Sequence, residues 1–467
     1  MPPPSDGVAQ IGWIETQNRR TRHWLSTRLG IDKAIAFTIM ARGWASFAGL
    51  VTVALIARFL TPAEQGYYYT FGSLVALQIV FELGFSFVIM QMASHERAHL
   101  QINAADSISG DPTAHDRLAS VLQKTVRWYT SAALLLGVFL LTAGSHFFST
   151  YHHGSVQVSW RIPWYADAIA ATLTFQLDPC LSFMEGCGFV ANVARVRFAQ
   201  AMTGSCLAWL ALATHHGLFA PAMVILGNAS VSLIWLFRRR LLLLPLWRRD
   251  PGANRIHWMK EVWSFQWRIA VSWLCGYFIF QLYNPVLFAY HGPVAAGQMG
   301  MSLSLSGALT AVAISWINTK AAPFGAMIAR KEYTTLDRVF FQALKQSLAV
   351  CGAGMLTIWL LVFYLNRAHF SLAHRVLSPL SIGILLATAP ISIVTFAEAT
   401  YLRAHKQEKF LLNSIIAAIL VGSSAFFLGR PFGALGIVTG TFLSSLIVGL
   451  PLGTYMFVRY RRLWHAV

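Results

Sequence analysis

The 467-residue chain is poor in charge, and acidic residues are especially few. Only 12% of its residues are charged, with 18 Asp and Glu against 36 Lys and Arg, whereas a soluble domain carries roughly 25%. Hydrophobic residues make up 56% of the chain. Apolar runs of about twenty residues, long enough to cross a bilayer, recur along its whole length. This composition excludes a soluble domain and indicates a polytopic membrane protein.

Cysteine is scarce and carries no metal-binding or disulfide pattern. None of the residues forms a CxxC motif, and all lie in or beside apolar runs: Cys180, Cys187, Cys206, Cys275 and Cys351. We therefore expect small buried hydrophobic side chains. The histidine pairs at 152–153 and 215–216 have no third ligand near them in sequence. The sequence predicts no metal site and no cofactor.

Motifs of membrane enzymes are missing as well. The chain has no nucleophile elbow, no metal-ligand cluster and no phosphate-cradling glycine loop. The predicted outer loops are short, and Glu64 is their one acidic residue. We therefore expect no enzyme and no catalytic residue. The first thirty residues also lack the apolar region of a cleavable signal peptide.

What the chain does contain is twelve apolar spans. They lie at roughly 34–59, 68–92, 129–149, 163–186, 197–214, 218–236, 264–290, 294–319, 343–365, 377–402, 410–428 and 433–457. Connecting segments alternate between a basic set, which includes NRRTRHW, FRRR and RYRR, and a set with few basic residues. The basic residues of the second set are Arg58, Arg161, Arg367, Arg375 and Arg430. By the positive-inside rule the basic set is cytoplasmic, so both termini are predicted there. The basic excess reports topology and not nucleic-acid binding.

The predicted fold is an all-α integral membrane protein with two six-helix bundles. We expect a cytoplasmic amino-terminal segment (1–33), a first bundle (34–236), a basic cytoplasmic linker (237–263), a second bundle (264–457) and a cytoplasmic tail (458–467). Two short matches suggest a duplication: PAEQG at 62–66 with PVAAG at 293–297, and FMEGCG at 183–188 with FAEATY at 396–401. Since six is even, the halves share one orientation and are related by a pseudo-twofold axis along the membrane normal.

Polar residues recur on single faces of several spans. The stripes are Thr38, Arg42 and Ser46; Gln78, Glu82 and Ser86; Thr174, Asp178, Ser182 and Glu185; and Thr388, Ser392, Thr395 and Glu398. The seventh span carries Arg268 near its inner end, and Tyr277, Gln281 and Asn284 further out. A charged group near mid-bilayer costs about 2.5–3.5 kcal/mol unless it faces protein or water. These stripes therefore predict a shared aqueous interior. Two alternatives stay open for Arg42 and Glu82, a functional role or a structural ion pair.

The segment RGWASFAGLVTVALIARFLTPAEQGYYYTFGSLVALQIVFELGF (42–85) carries a family resemblance. It resembles the opening of the polysaccharide flippases, the Wzx-type O-antigen and exopolysaccharide translocases of the multidrug/oligosaccharidyl-lipid/polysaccharide exporter superfamily. Twelve spans in two bundles match that fold. The resemblance implies flipping of a lipid-diphosphate-linked oligosaccharide to the outer leaflet of a bacterial inner membrane, as in lipopolysaccharide or exopolysaccharide biosynthesis. It also implies coupling to H⁺ or Na⁺.

Candidate roles follow from this resemblance together with the polar stripes. For substrate binding we expect Arg42, Gln78, Arg268, Gln281, Asn284 and Lys320, and for ion coupling Glu82, Asp178 and Glu398. Expected partners are the lipid-linked oligosaccharide, membrane lipids, and a polysaccharide polymerase or glycosyltransferases. Two alternatives use the same fold: a cation-coupled multidrug or small-molecule exporter, and a non-transporting scaffold of a glycan assembly complex.

Overall fold

The structure is a computed structural model that describes residues 33–103, 107–151, 158–261, 263–405 and 410–465, and nearly all of these residues are helical. The first half contains α1 (Lys33–Phe59), α2 (Pro62–Val75), α3 (Gln78–Glu82), α4 (Phe85–Arg97), α5 (Pro112–Phe139), α6 (Ser145–Thr150), α7 (Arg161–Gly186), α8 (Val190–Ala213) and α9 (Ala220–Arg238). A π-helical turn, Leu140–Gly144, joins α5 to α6. A small antiparallel hairpin pairs β1 (Leu100–Ile102) with β2 (Ile108–Gly110).

The linker and the second half are also helical. The linker carries α10 (Arg240–Arg248) and α11 (Trp258–Glu261). The second half contains α12 (Trp263–Phe280), α13 (Tyr283–Asn318), α14 (Ala321–Ala329), α15 (Tyr333–Arg367), α16 (Pro379–Ala404), α17 (Leu411–Ser444) and α18 (Leu450–His465). A second π-helical turn, Ser445–Gly449, joins α17 to α18.

Twelve crossings follow from these helices. In the described residues, seven helical stretches are long and apolar enough to cross a membrane, and the bent run from α2 to α4 makes an eighth. Two of these stretches hold two crossings each, because the backbone leaves the helical conformation at Gly292 (φ 83°) and Gly433 (φ 60°). A Cβ placed on Gly440 would touch Ser424, as expected where the chain folds back on itself. The charge-bearing helices α7 and α8 complete the two six-helix bundles that the sequence predicts.

Each bundle has its own packing. In the first, α1 and α9 pack on α8, and α4, α5 and α9 pack on α7. In the second, α13 packs on α15, α16 and α17, and α12 packs on α17. Between the bundles, α2 packs along α13. We call the ends of the crossings that carry the basic loops the basic side, and the opposite ends the far side.

The far-side end of α2 is built by a capping box in the sequence TPAE. The Thr61 side chain accepts a hydrogen bond from the Glu64 amide at 3.2 Å, and Glu64 accepts one from the Thr61 amide at 2.8 Å. Pro62 occupies the first helical turn, where its missing N–H costs nothing. The one acidic residue of the predicted outer loops therefore serves to begin a helix.

The second crossing is broken in its middle. Leu83 (φ 50°) and Gly84 (φ 70°) are left-handed, and the crossing bends there by 44°. A left-handed non-glycine residue costs roughly 1–2 kcal/mol. A Cβ on Gly84 would overlap the Ile269 side chain of α12. The break therefore allows α12 to approach the first bundle closely.

The linker is fastened to α5 on the basic side. Arg117 donates to Glu96 at 2.8 Å and to Glu261 at 2.6 Å, which lowers the pKa of the Glu261 carboxyl. Arg249 pairs with Asp116 at 2.6 Å. Since Glu261 ends α11, directly ahead of α12, these contacts fix where the second bundle begins.

Replacing Arg117 by methionine is expected to lower the free energy of unfolding by about 2 kcal/mol, because Glu96, whose side chain is 8% exposed, loses its charged partner. Arg255→Met is the matched control. Arg255 pairs with Asp250 at an exposed site, where an ion pair contributes about 0–1 kcal/mol. Thermal unfolding of both variants in detergent measures the difference. Equal stabilities would contradict a fastening role for Arg117.

Candidate functional site

A cavity of about 1010 Å³ opens within the second bundle. Its walls come from α12, α13, α16 and α17, and Tyr68, Tyr69, Gly72 and Ser73 of α2 cover one face. The cavity therefore lies where the first bundle meets the second. A concave site of this size between packed helices is a typical place for a ligand.

The lining is rich in neutral hydrogen-bonding groups. The hydroxyl-bearing residues include Ser272, Ser304, Thr310, Thr388, Ser392, Thr395, Ser414 and Thr441; the amides are Gln281, Asn284 and Asn413; and Tyr68, Tyr69, Phe280, Tyr283, Phe396 and Phe410 are aromatic. Among the described lining residues Arg403 is the one charged side chain, and none is acidic. The site suits an uncharged polar group with an anion near the basic side.

Two predicted substrate-binding residues, Gln281 and Asn284, line this cavity. The Asn284 amide donates to the Ser73 hydroxyl at 3.1 Å, so it also joins the bundles. Thr388, Ser392 and Thr395 of α16 line the cavity as well, as their shared helical face suggests. Arg42, Arg268 and Lys320 are exposed and Gln78 is half-buried, and the described lining contains none of these four.

Glu398 lies behind the cavity wall. It is 4% exposed, and its Oε1 accepts a hydrogen bond from Thr454 of α18 at 2.8 Å. Within the described part of the chain, its Oε2 and the Oδ1 of Asn413 have no hydrogen-bond partner. A Cβ on Gly453 would lie 3.4 Å from Glu398 Oε2 and 3.3 Å from Asn413 Nδ2, so these side chains are neighbours. The result is a cluster of buried oxygens at the junction of α16, α17 and α18.

Glu82 and Asp178 come together in the first bundle. Glu82 lies within hydrogen-bonding reach of Ser86, whose hydroxyl is 3.2 Å from that of Tyr129. Glu82 and Asp178 interact electrostatically with each other and with Tyr129. The predicted coupling carboxylates therefore form two groups, one in each bundle.

Arg42 does not share the site of Glu82. Its helix α1 packs on α8, where Trp44 donates to Ser205 at 3.0 Å. The ion pairs found among the described residues do not include Arg42 with Glu82. The first and second spans are neighbours in sequence, but Arg42 is exposed, whereas Glu82 lies near Ser86 and Asp178.

On the far side the two repeated hairpins pack against each other. A Cβ on Gly66 would overlap the carbonyl of Pro293, and a Cβ on Gly297 would lie 3.1 Å from the carbonyl oxygen of Pro62. The Gln65 amide also donates to the Gly297 carbonyl at 2.8 Å. PAEQG and PVAAG thus contact each other reciprocally. We call this the Gly66–Pro293 contact, and it joins the two bundles on the far side.

Three residues of this region, Arg403, Asn413 and Thr454, are not among the site residues predicted from the sequence. Arg403 belongs to RAHKQEK (403–409), another segment of the basic set, and the basic set predicts topology only. Residues 406–409 lie outside the described residues. Asn413 and Thr454 are single polar residues in apolar spans. Both lie at the same depth in the membrane as Glu398, and this shared depth could have predicted that the three residues meet.

No family model and no curated protein matches the chain. Solved structures do match it over nearly its full length. An outward-facing multidrug resistance MATE family transporter of the MOP superfamily superposes with a TM-score of 0.59 and 12% identity, covering 94% of this chain and 98% of its own. The inward-facing conformation of a MATE family transporter gives 0.58 and 12%, covering 91% and 99%. Lipid II flippase MurJ in an inward closed conformation gives 0.57 and 11%, covering 92% and 90%.

These solved structures agree with the architecture described above. At identities near 12%, the similarity shows a shared fold and says nothing about the substrate. The chain is a multi-pass membrane protein with the two-bundle fold of MOP superfamily transporters.

Proposed function

We propose that this chain is a membrane transporter that flips a lipid-diphosphate-linked oligosaccharide from the cytoplasmic to the outer leaflet of a bacterial inner membrane. The observation that carries the proposal is the cavity of about 1010 Å³, with its neutral hydroxyl, amide and aromatic lining and with Arg403 as the one cation of the described lining. Its volume is at the upper end of the usual range of about 300–1000 Å³ for ligand pockets. A sugar-diphosphate headgroup is a large, polar ligand of this kind.

The lining matches sugar chemistry in two ways. Hydroxyls and amides donate and accept hydrogen bonds, as the hydroxyls of a sugar do. Aromatic rings provide apolar faces for the C–H surfaces of a sugar ring, and Tyr68, Tyr69 and Tyr283 combine such a face with a polar end. Gln281 and Asn284 are the predicted residues best placed to hold the oligosaccharide.

Arg403 is our candidate for the diphosphate contact. It lies in the last turn of α16, on the basic side, and lines the cavity. Guanidinium–phosphate contacts are charge-assisted and bidentate, hence stronger than neutral hydrogen bonds. Arg42, Arg268 and Lys320 remain predictions for attracting the anionic headgroup, and Gln78 remains a prediction for a sugar contact.

Alternating access would connect this cavity to the two membrane faces in turn. The Gly66–Pro293 contact joins the bundles on the far side, which supports an inward-facing or occluded arrangement. A gradient of H⁺ or Na⁺ would drive the cycle through the carboxylates Glu82, Asp178 and Glu398. Carboxylate, amide and hydroxyl oxygens are the donors that hard cations prefer, and Glu398, Asn413 and Thr454 supply one of each.

A vesicle assay with lipid-linked oligosaccharide tests the proposal. We expect Arg403→Ala to reduce flipping by about tenfold or more, as loss of a charge-assisted contact of about 1.5–3 kcal/mol requires, and Arg403→Lys to retain part of the activity. Arg330→Ala is the matched control, because Arg330 is a highly exposed arginine of the same half.

Deletion of the protein is expected to abolish surface polysaccharide. If the protein instead confers resistance to cationic drugs and its deletion leaves surface polysaccharide unchanged, it is a multidrug exporter. The described cavity lining has no acidic residue to attract such compounds. Normal flipping in the Arg403→Ala variant, combined with defects from loop substitutions only, would favour the scaffold alternative and reject the proposal.

A further inference from the structure

A buried carboxyl without a partner lies in the first bundle, apart from the groups assigned above. Asp167 of α7 is 0% exposed, and neither of its carboxyl oxygens has a hydrogen-bond partner among the described residues. Native structures satisfy the large majority of their buried polar side chains. An isolated buried carboxylate is especially unfavourable, so such a group persists where it binds a proton or a cation.

An aromatic cluster occupies the neighbouring turn toward the far side. Trp164, one turn ahead of Asp167, has its ring 5.2 Å from that of Phe71 and 5.1 Å from that of Phe148. Phe148 in turn lies 5.3 Å from Phe288 of the second bundle. The turn of α7 next to Asp167 is therefore packed within contacts that join the two bundles.

Tyr68 is the titratable neighbour of Asp167. The helices packed against α7 are α2, α4, α5, α8 and α9. Of their described side chains, Tyr68 of α2 interacts electrostatically with Asp167, and no basic group compensates the carboxyl. Tyr68 also lines the cavity, and the ring of the next residue, Tyr69, packs on Gly300 of α13. One segment of α2 thus interacts electrostatically with the carboxyl, lines the cavity and contacts the second bundle.

We propose that Asp167 is a proton-binding site whose occupancy is linked to the Gly66–Pro293 contact. While that contact is closed, the dry and unpartnered site holds a neutral carboxylic acid. When it opens, the Tyr68–Tyr69 segment moves away from α13, water reaches the carboxyl, and one proton is released to that water. The linkage rests on the alternating access of the proposed function, whereas proton binding does not.

Infrared spectroscopy tests proton binding directly. We expect the wild-type protein in lipid films to show the C=O stretch of a protonated carboxyl without hydrogen-bond partners, and Asp167→Asn to lack it. Glu82→Gln, Asp178→Asn and Glu398→Gln are the controls and should retain this band. The same assay needs no substrate, so its result stands whether or not oligosaccharide flipping is found. Superimposable spectra of wild type and Asp167→Asn across the pH range would overturn the proposal.

Thiol labelling tests the linkage. In a variant that keeps Cys275, a lining residue, as its single cysteine, a membrane-impermeant reagent added on the far side reports opening. Asp167→Asn, an isosteric mimic of the neutral acid, should label slowly, with only the pH dependence of the Cys275 thiol itself. We expect the ratio of the wild-type rate to the Asp167→Asn rate, in which the ionisation of this shared thiol cancels, to rise with pH by up to about tenfold per unit, the dependence of one proton. If instead the Asn variant keeps the wild-type pH dependence, the linkage is wrong. Tyr68→Phe keeps the ring but loses the hydroxyl, and it should weaken the pH dependence of the wild type.

Discussion

Replacing Gly66 by alanine is expected to reduce transport by about tenfold or more, a loss that about 1.4 kcal/mol of interaction free energy is enough to produce. Elsewhere in a helix the same change stabilises by roughly 0.5–1 kcal/mol. At Gly66 the new Cβ would overlap the Pro293 carbonyl, so α2 and α13 must separate on the far side. The closed arrangement would lose population. Flipping in vesicles and far-side labelling of Cys275 measure both consequences, and labelling should become faster.

Gly49→Ala is the matched control for this experiment. Gly49 lies in α1 of the same bundle, outside the described cavity lining, and no atom lies within 4 Å of the position of an added Cβ. We therefore expect transport and labelling close to those of the wild type. If Gly66→Ala and Gly49→Ala behave alike, the Gly66–Pro293 contact does not control access to the cavity.

Glu398→Gln is expected to reduce gradient-driven flipping to the rate measured without a gradient. The substitution keeps the size of the side chain and its capacity to bond Thr454, but removes the carboxylate whose Oε2 has no partner in the described residues. A neutral amide can neither take up a proton nor compensate the charge of a cation. Flipping into vesicles with an imposed H⁺ or Na⁺ gradient, compared with flipping at equilibrium, measures the effect.

The motif FMEGCG of the first half supplies the control. Glu185 has the position in FMEGCG that Glu398 has in FAEATY, but it is paired with Arg197 at 2.8 Å near the basic side. Such a partly exposed ion pair contributes about 0–1 kcal/mol, so Glu185→Gln should keep the gradient response. An unchanged response in Glu398→Gln would remove Glu398 from the coupling mechanism.

Helical periodicity made part of the site predictable. Apolar length and basic loops were enough to predict the twelve crossings. The face shared by Thr388, Ser392 and Thr395 could be identified from spacing alone, and that face does line the cavity. Gln281 and Asn284 were identified in the same way. In each case the geometry of a single helix determines which residues share the face that lines the cavity.

Neighbours across the bundle were not predictable from one sequence. The spacing of polar residues predicts which face of α1 carries Arg42. It does not predict that α1 packs on α8. Arg403 was missed because a basic residue at the end of a span follows equally from topology and from phosphate binding. Asp167 shares a helical face with Thr174, seven residues later, which was a usable signal that the sequence analysis did not exploit.

The Gly66–Pro293 contact has a consequence for how the fold arose. Pro62 corresponds to Pro293 and Gly66 to Gly297 in the duplicated motifs, and each glycine touches the proline segment of the other copy. Contacts exchanged in this way are isologous, the kind that a twofold axis creates in a homodimer. A six-helix ancestor with one such glycine would have closed one membrane face simply by pairing with itself. Fusion of two such copies would leave each free to diverge, in keeping with a polar cavity that lies mostly in the second half.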